Sequence, residues 1–147
     1  MLEEYLPGRE FSVAILRNQK TNELISMPIE LVAPKNINGA RILSSRIKSA
    51  NTEVVKELAD PELKSKIVSF ARDVFRALDA RDYGRIDIRL DKNGEPNFLE
   101  ANLIPSLIDG YGSFPKACAI NENIGYEQMI MQIVGLARSR IDSTLSV

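Results

Sequence analysis

The sequence predicts one α+β domain: a mostly antiparallel sheet with helices packed on one face. Three observations carry this. Two alternating runs, at residues 85–90 and 97–102, flank an Asn93-Gly94 dipeptide, the strongest short-range sign of a β-hairpin. Two earlier apolar runs, at 11–16 and 24–32, are joined by a polar turn and read as a meander. Between these pairs lies a capped helix with an apolar stripe. At 147 residues and 44% apolar content, the chain has enough for one modest core and is on the low side for two.

Taken in order, Phe11 to Leu16 reads as a buried strand, residues 18–23 as a turn, and 24–32 as its partner. Residues 34–39 form a polar loop, and Arg41, Ile42 and Leu43 suit a short strand. The weakly patterned stretch from there to Leu58 reads as an active-site loop ending in a short helical turn, with a plain surface connection as the alternative. Asp60-Pro61-Glu62 is a helix start: an oxygen acceptor at the N-cap, proline at the first position, an acid in the first turn. Leu63, Ile67, Phe70, Ala71, Val74, Phe75 and Leu78 then recur at helical spacing. Lys64, Lys66, Arg72, Asp73 and Arg76 fall on the opposite, solvated face. The stripe is expected to pack on the sheet face carrying Ile86, Ile88, Leu99 and Ala101. A second helix begins at Ser113-Phe114-Pro115, with Ser113 as N-cap, and runs to about Asn121. A third opens at Gly125-Tyr126-Glu127 and continues through Met129, Ile130, Ile133, Val134, Leu136 and Ala137, its methionines filling core. Residues 141–147 read as a frayed tail.

The hairpin also carries chemistry. With a two-residue loop at Asn93-Gly94, Asp87 lies opposite Glu100 and Arg85 opposite Asn102. Strand side chains alternate, so these four share one face while Ile86, Ile88, Leu99 and Ala101 share the other. Opposed acids destabilise a sheet. Two carboxylates with an amide oxygen are, however, the donor set of a hard cation such as Mg²⁺, completed by phosphate oxygens and water. A solvated hairpin face stays open beside this reading. A one-residue slip would part the donors.

Composition narrows the classes. With 19 basic and 20 acidic residues, bulk charge gives no footprint for nucleic acid or an anionic membrane. Histidine is absent, which removes Ser-His-Asp hydrolysis, His general-base chemistry and His-based zinc sites. The single cysteine, Cys118, lies in an apolar stretch and reads as a small buried residue. There is no membrane-length apolar run and no leader pattern, so a cytoplasmic location is expected.

Gly84-Arg85-Ile86-Asp87, the strand Phe98-Leu99-Glu100-Ala101-Asn102 and the loop around Pro105 together resemble the C-terminal catalytic motif of ATP-grasp ligases. The D-alanine–D-alanine ligase group is the nearest match. Residues 3–14 resemble that family's adenine-hinge and ribose-binding segment. The resemblance implies an ATP- and Mg²⁺-dependent carboxylate–amine ligase working through an acyl phosphate, as in peptidoglycan precursor synthesis. It implies that Asp87 binds one of two Mg²⁺ ions, that Glu100 bridges both, and that Asn102 binds the second. Arg85 would stabilise the transferring phosphoryl group. Glu3, Tyr5 and Leu6 would hold adenine, Glu10 the ribose hydroxyls, and Arg46 (or Lys48) a phosphate. Ser113 falls where the second substrate's carboxylate is held.

Two departures stand out. Ser106 replaces the glycine after the motif proline, whose N–H helps stabilise an oxyanion. The loop between Pro105 and Pro115 is one residue longer than usual. The resemblance further implies that residues 1–147 form the C-terminal catalytic subdomain, without the N-terminal domain and the front half of the ATP-grasp domain. The chain alone is therefore expected to be inactive. Its small-molecule partners would be ATP and an amino acid or dipeptide, and homo-association is expected where apolar surface lies bare. A non-catalytic nucleotide-binding or assembly module is the alternative, as is an ATP-grasp ligase for another acid and amine.

Overall fold

The computed structural model describes residues 4–34 and 53–144, with side chains to Ile141. Among the described residues one antiparallel sheet runs in the order β3-β2-β1-β4-β5. The strands are β1 (Glu10–Arg17), β2 (Leu24–Val32), β3 (Val54–Glu57), β4 (Tyr83–Leu90) and β5 (Pro96–Asn102). The helices are α1 (Pro61–Ala77), α2 (Ser113–Glu122) and α3 (Tyr126–Thr144). The expected Arg41 to Leu43 strand lies outside the described residues. The stretch before Leu58 ends in β3 rather than a helical turn, because Val54 and Val55 pair with Val32 and Leu31.

Strand alternation splits the core in two. Phe11, Val13 and Ile15 of β1, with Ile86 and Ile88 of β4, pack against Ile67, Ala71 and Phe75 of α1. Ala14 and Leu16, with Met27, Ile29 and Leu31 of β2, pack instead against Phe114, Ala117 and Cys118 of α2 and Met129 and Leu136 of α3. The helices thus cover both faces, not the single face expected. The cause is that β1 and β4 are apolar at consecutive positions, and a strand buried on both sides needs a cover on each. Cys118 is buried and its thiol is pushed up to about 12 by desolvation, as suits a packing residue.

Helix α1 starts as its sequence dictates. The Asp60 carboxylate accepts from the N–H groups of Glu62 (3.1 Å) and Leu63 (3.2 Å), and Pro61 needs no acceptor for the hydrogen it lacks. Leu78 forms the C-cap and is 46% exposed, so it leaves the buried stripe. Arg72 and Lys66 do more than meet solvent: Arg72 donates to Ser26 Oγ and Leu24 O, and Lys66 to Gly94 O and Glu95. Helix α2 has Gly112 at its N-cap, which moves Ser113 into the first turn; Gly112 accepts this role because a side chain there would meet Ser106 O at 2.4 Å. Helix α3 continues to Thr144, past the expected fraying point. Met129 is buried and Met131 exposed, so only one of these two methionines fills core.

The hairpin differs from expectation at its turn. Arg85↔Asn102, Ile86↔Ala101 and Asp87↔Glu100 pair as expected, but Ile88 pairs with Phe98 and Leu90 with Pro96. The loop is five residues, 91–95, and one residue is absorbed as a bulge at Leu99. Asp91 organises it: its carboxylate accepts from the N–H groups of Asn93 (2.7 Å) and Glu95 (2.9 Å). Gly94 has φ +80° while Asn93 does not take a positive φ, which excludes the two-residue type I′ turn. Leu99 is 42% exposed instead of packing under α1.

Candidate active site

The register of β4 on both neighbours builds the site. Ser12 faces Asp87 across β1–β4, and Glu100 faces Asp87 across β4–β5. Arg85, Asp87, Glu100 and Asn102 therefore lie on the α2 side of the sheet, beyond the apolar cluster that α2 covers. Arg85 holds Asp87 bidentately, Nε to Oδ1 at 2.9 Å and Nη2 to Oδ2 at 2.7 Å, and also reaches Glu100 Oε1 at 3.2 Å. Asn102 Nδ2 donates to the same Glu100 oxygen at 3.1 Å. Ser12 donates to Asp87 Oδ1 at 2.7 Å. Asp87 is 3% exposed, whereas the Glu100 side chain is 51% exposed, so the site grades from a buried acid to an open one.

Burial raises the Asp87 carboxyl above its ordinary value, against the opposing pull of the Arg85 charge and of the Arg85 and Ser12 hydrogen bonds. A buried acid of this kind calls for a positive charge, and the Arg85 guanidinium already stands between the two carboxylates. Among the described residues no group of three or more Asp, Glu or Cys side chains is placed to hold a metal ion. A cation here would have two carboxylates and an amide from the chain, leaving other positions to substrate oxygens and water. That donor set fits Mg²⁺.

Ser106 and Ser113 come to the same place. With Arg85, Asp87, Leu31, Glu53, Tyr111 and Gly112 they line a recess of about 120 Å³. Ser106 is not among the residues with positive φ, so serine meets no backbone strain where the resemblance has glycine. A second, larger cleft of about 490 Å³ opens beside the first strands and is lined by Tyr5, Glu10, Glu30, Val32, Lys56 and Arg89, among others. Glu10 accepts a hydrogen bond from Arg89 at 2.9 Å, and the Arg89 guanidinium lies 5.7 Å from the Tyr5 ring centre. Leu6 does not line the cleft. Glu3, Arg46 and Lys48 lie outside the described residues. The cleft wall is tied to β4: Gly8 N–H donates to Leu90 O at 3.0 Å and Leu90 N–H to Arg9 O at 2.9 Å, an approach so close that a Cβ on Gly8 would meet Leu90 O at 2.4 Å.

Sequence reasoning missed Ser12, Glu53 and Arg89. Ser12 and Arg89 carry a signal, since each is polar among apolar strand neighbours. Glu53 carries none.

Residues 1–135 match the family model of the D-Ala–D-Ala ligase C-terminus. The chain belongs to this family. It is 32% identical over 144 residues to an uncharacterised protein of Sinorhizobium fredii, covering 95% of this chain and 41% of that protein. It is 28% identical over 109 residues to the D-alanine–D-alanine ligase of Aquifex aeolicus, covering 74% of this chain and 34% of that enzyme. Among solved structures, the D-alanine–D-alanine ligase of Bacillus anthracis complexed with ATP superposes with a TM-score of 0.71 at 20% identity, over 96% of this chain and 42% of that one. That of Coxiella burnetii gives 0.70 at 19%, over 98% and 35%. Such likeness shows the fold: a C-terminal ATP-grasp part. The chain spans between about a third and two fifths of the length of these proteins.

Proposed function

We propose that the chain serves an ATP-dependent carboxylate–amine ligase of the D-alanine–D-alanine type, as its C-terminal catalytic subdomain. The observation that carries this is the convergence of Asp87, Glu100 and Asn102 around Arg85, beside a cleft walled by Tyr5 and Glu10, in a member of this family. ATP binds in the larger cleft, with adenine against Glu3 and Tyr5, the ribose hydroxyls on Glu10, and a phosphate on Arg46. Asp87, Glu100 and Asn102 hold two Mg²⁺ ions. When bound, these supply charge neutralisation along the phosphate chain. Arg85 grips the transferring phosphoryl group, and the substrate carboxylate becomes an acyl phosphate that an amine attacks. The Ser106 N–H faces the developing oxyanion, and Ser113 in the first turn of α2 holds the amine substrate's carboxylate. The work is positioning and charge stabilisation, which needs no covalent nucleophile. The product is a dipeptide of the peptidoglycan-precursor kind, made in the cytoplasm; no helix among the described residues is long and apolar enough to cross a membrane.

The deciding assay follows ADP and dipeptide formation from ATP, Mg²⁺ and D-alanine by this chain joined to the remainder of a family ligase. Activity lost in Asp87→Ala and Glu100→Ala with the fold kept is expected; retained activity in both overturns the reading. The 147 residues alone are proposed to bind Mg·ATP weakly and turn none over, and ADP release by them would refute that. The alternative, a nucleotide-binding or assembly module without turnover, would be supported by no ligation in the joined protein. Exposed Phe98, Leu99, Leu103 and Ile104 support homo-association of the chain, and a clean monomer by light scattering would remove it.

A further inference from the structure

Phe11 and Val13 to Leu16 of β1 are all apolar and buried, and Ser12 among them is 1% exposed. A hydroxyl in that position costs free energy unless it is hydrogen-bonded. Its bond goes to Asp87 Oδ1 at 2.7 Å, straight across the β1–β4 ladder. The other partner of Asp87 is of a different kind. Arg85 sits on the same strand two residues away, takes both Asp87 oxygens and extends to the open carboxylate of Glu100. A guanidinium on a long side chain can turn away; a hydroxyl on a central strand between β2 and β4 cannot.

We propose that Ser12 is a positioning residue for Asp87: it pins Oδ1, so that Oδ2 is the atom exchanged between Arg85 and an arriving divalent cation. Arg85 is then the standing counter-ion of the acid pair, which leaves when the cation enters and becomes available to a phosphoryl group. Ser12 keeps the buried carboxylate from turning or losing its last donor during that exchange. The inference rests on the reading of Asp87 as a metal ligand.

The test compares Ser12→Thr with Ser12→Val, two strand-favouring side chains of the same shape that differ by the hydroxyl. Mn²⁺ binding to the 147-residue chain is followed by electron paramagnetic resonance, with Mn²⁺ alone and with ADP, and thermal melts report folding. Ser12→Thr is expected to bind as the parent does. Ser12→Val is expected to bind roughly 10-fold or more weakly, the usual effect of removing a group that orients a ligand. Arg85→Met, which removes the competing cation, is expected to bind Mn²⁺ more tightly than the parent. Equal affinity in the folded Thr and Val variants overturns the positioning role alone. No Mn²⁺ binding by the parent overturns both this and the metal reading beneath it.

Discussion

The two faces of the sheet come from the same strands and differ in kind. Under α1, Phe11, Val13, Ile15, Ile86 and Ile88 are wholly buried and form one apolar cluster with Leu58, Ile67, Ala71 and Phe75. On the other face, Ala14, Leu16, Met27 and Ile29 lie under α2, while on that same face stand Ser12 of β1 and Arg85, Asp87 and Arg89 of β4. Chemistry here is one residue out of phase with packing. Ser12 is flanked by Phe11 and Val13, and Asp87 by Ile86 and Ile88, so each polar group is clamped from behind by core.

This contrast can be broken from either side. The largest effect is expected from the packing face. Phe75→Ala, at the centre of the α1 contact, should cost about 3–5 kcal/mol in chemical denaturation; a loss below ~1 kcal/mol would mean that α1 does not close that face. On the site face the effect should depend on pH instead. Burial raises the Asp87 carboxyl above 3.8, so the stability this group contributes is full below that value and is lost as pH rises through the raised one. Asp87→Asn removes that loss, and melts at stepped pH should show the variant gaining on the parent as pH rises above about 4. A difference flat in pH would contradict the direction.

Much of this was legible in the sequence because it is local. The Asp60-Pro61-Glu62 start gave α1 its first residue, and alternation put Arg85, Asp87, Glu100 and Asn102 on one face. The hairpin turn was misjudged, since the Asp91 side chain, not the Asn93-Gly94 dipeptide, organises the loop. The bulge at Leu99 then restored the pairing at the site end, so the donors met by compensation rather than by the simple register. Ser12 and Arg89 stand out as polar residues in apolar runs, but what they bond to was out of reach for another reason. Their partners Asp87 and Glu10 are some 75 residues away in sequence, on strands whose pairing no local pattern declares. The second helix layer escaped because a strand buried on both sides and one buried on a single side look alike in a short apolar run.

Smaller tests sharpen the comparison. Asp60→Ala should cost about 1 kcal/mol through the lost cap and leave Mn²⁺ affinity unchanged, separating helix stability from the site. Glu95→Gln, which breaks the exposed 2.7 Å pair with Lys66 between the hairpin loop and α1, should cost no more than about 0.5 kcal/mol. A larger loss would mean that the turn end of the hairpin is coupled to α1 as firmly as the site end is to the core.

The glycine at position 8 has a reach beyond its own turn. Because its amide is bonded to the carbonyl of Leu90, three residues along β4 from Asp87, the wall of the larger cleft and the acid-bearing strand are joined as one part. Any side chain at that position would act as a wedge against Leu90, parting the cleft wall from the strand that carries Asp87.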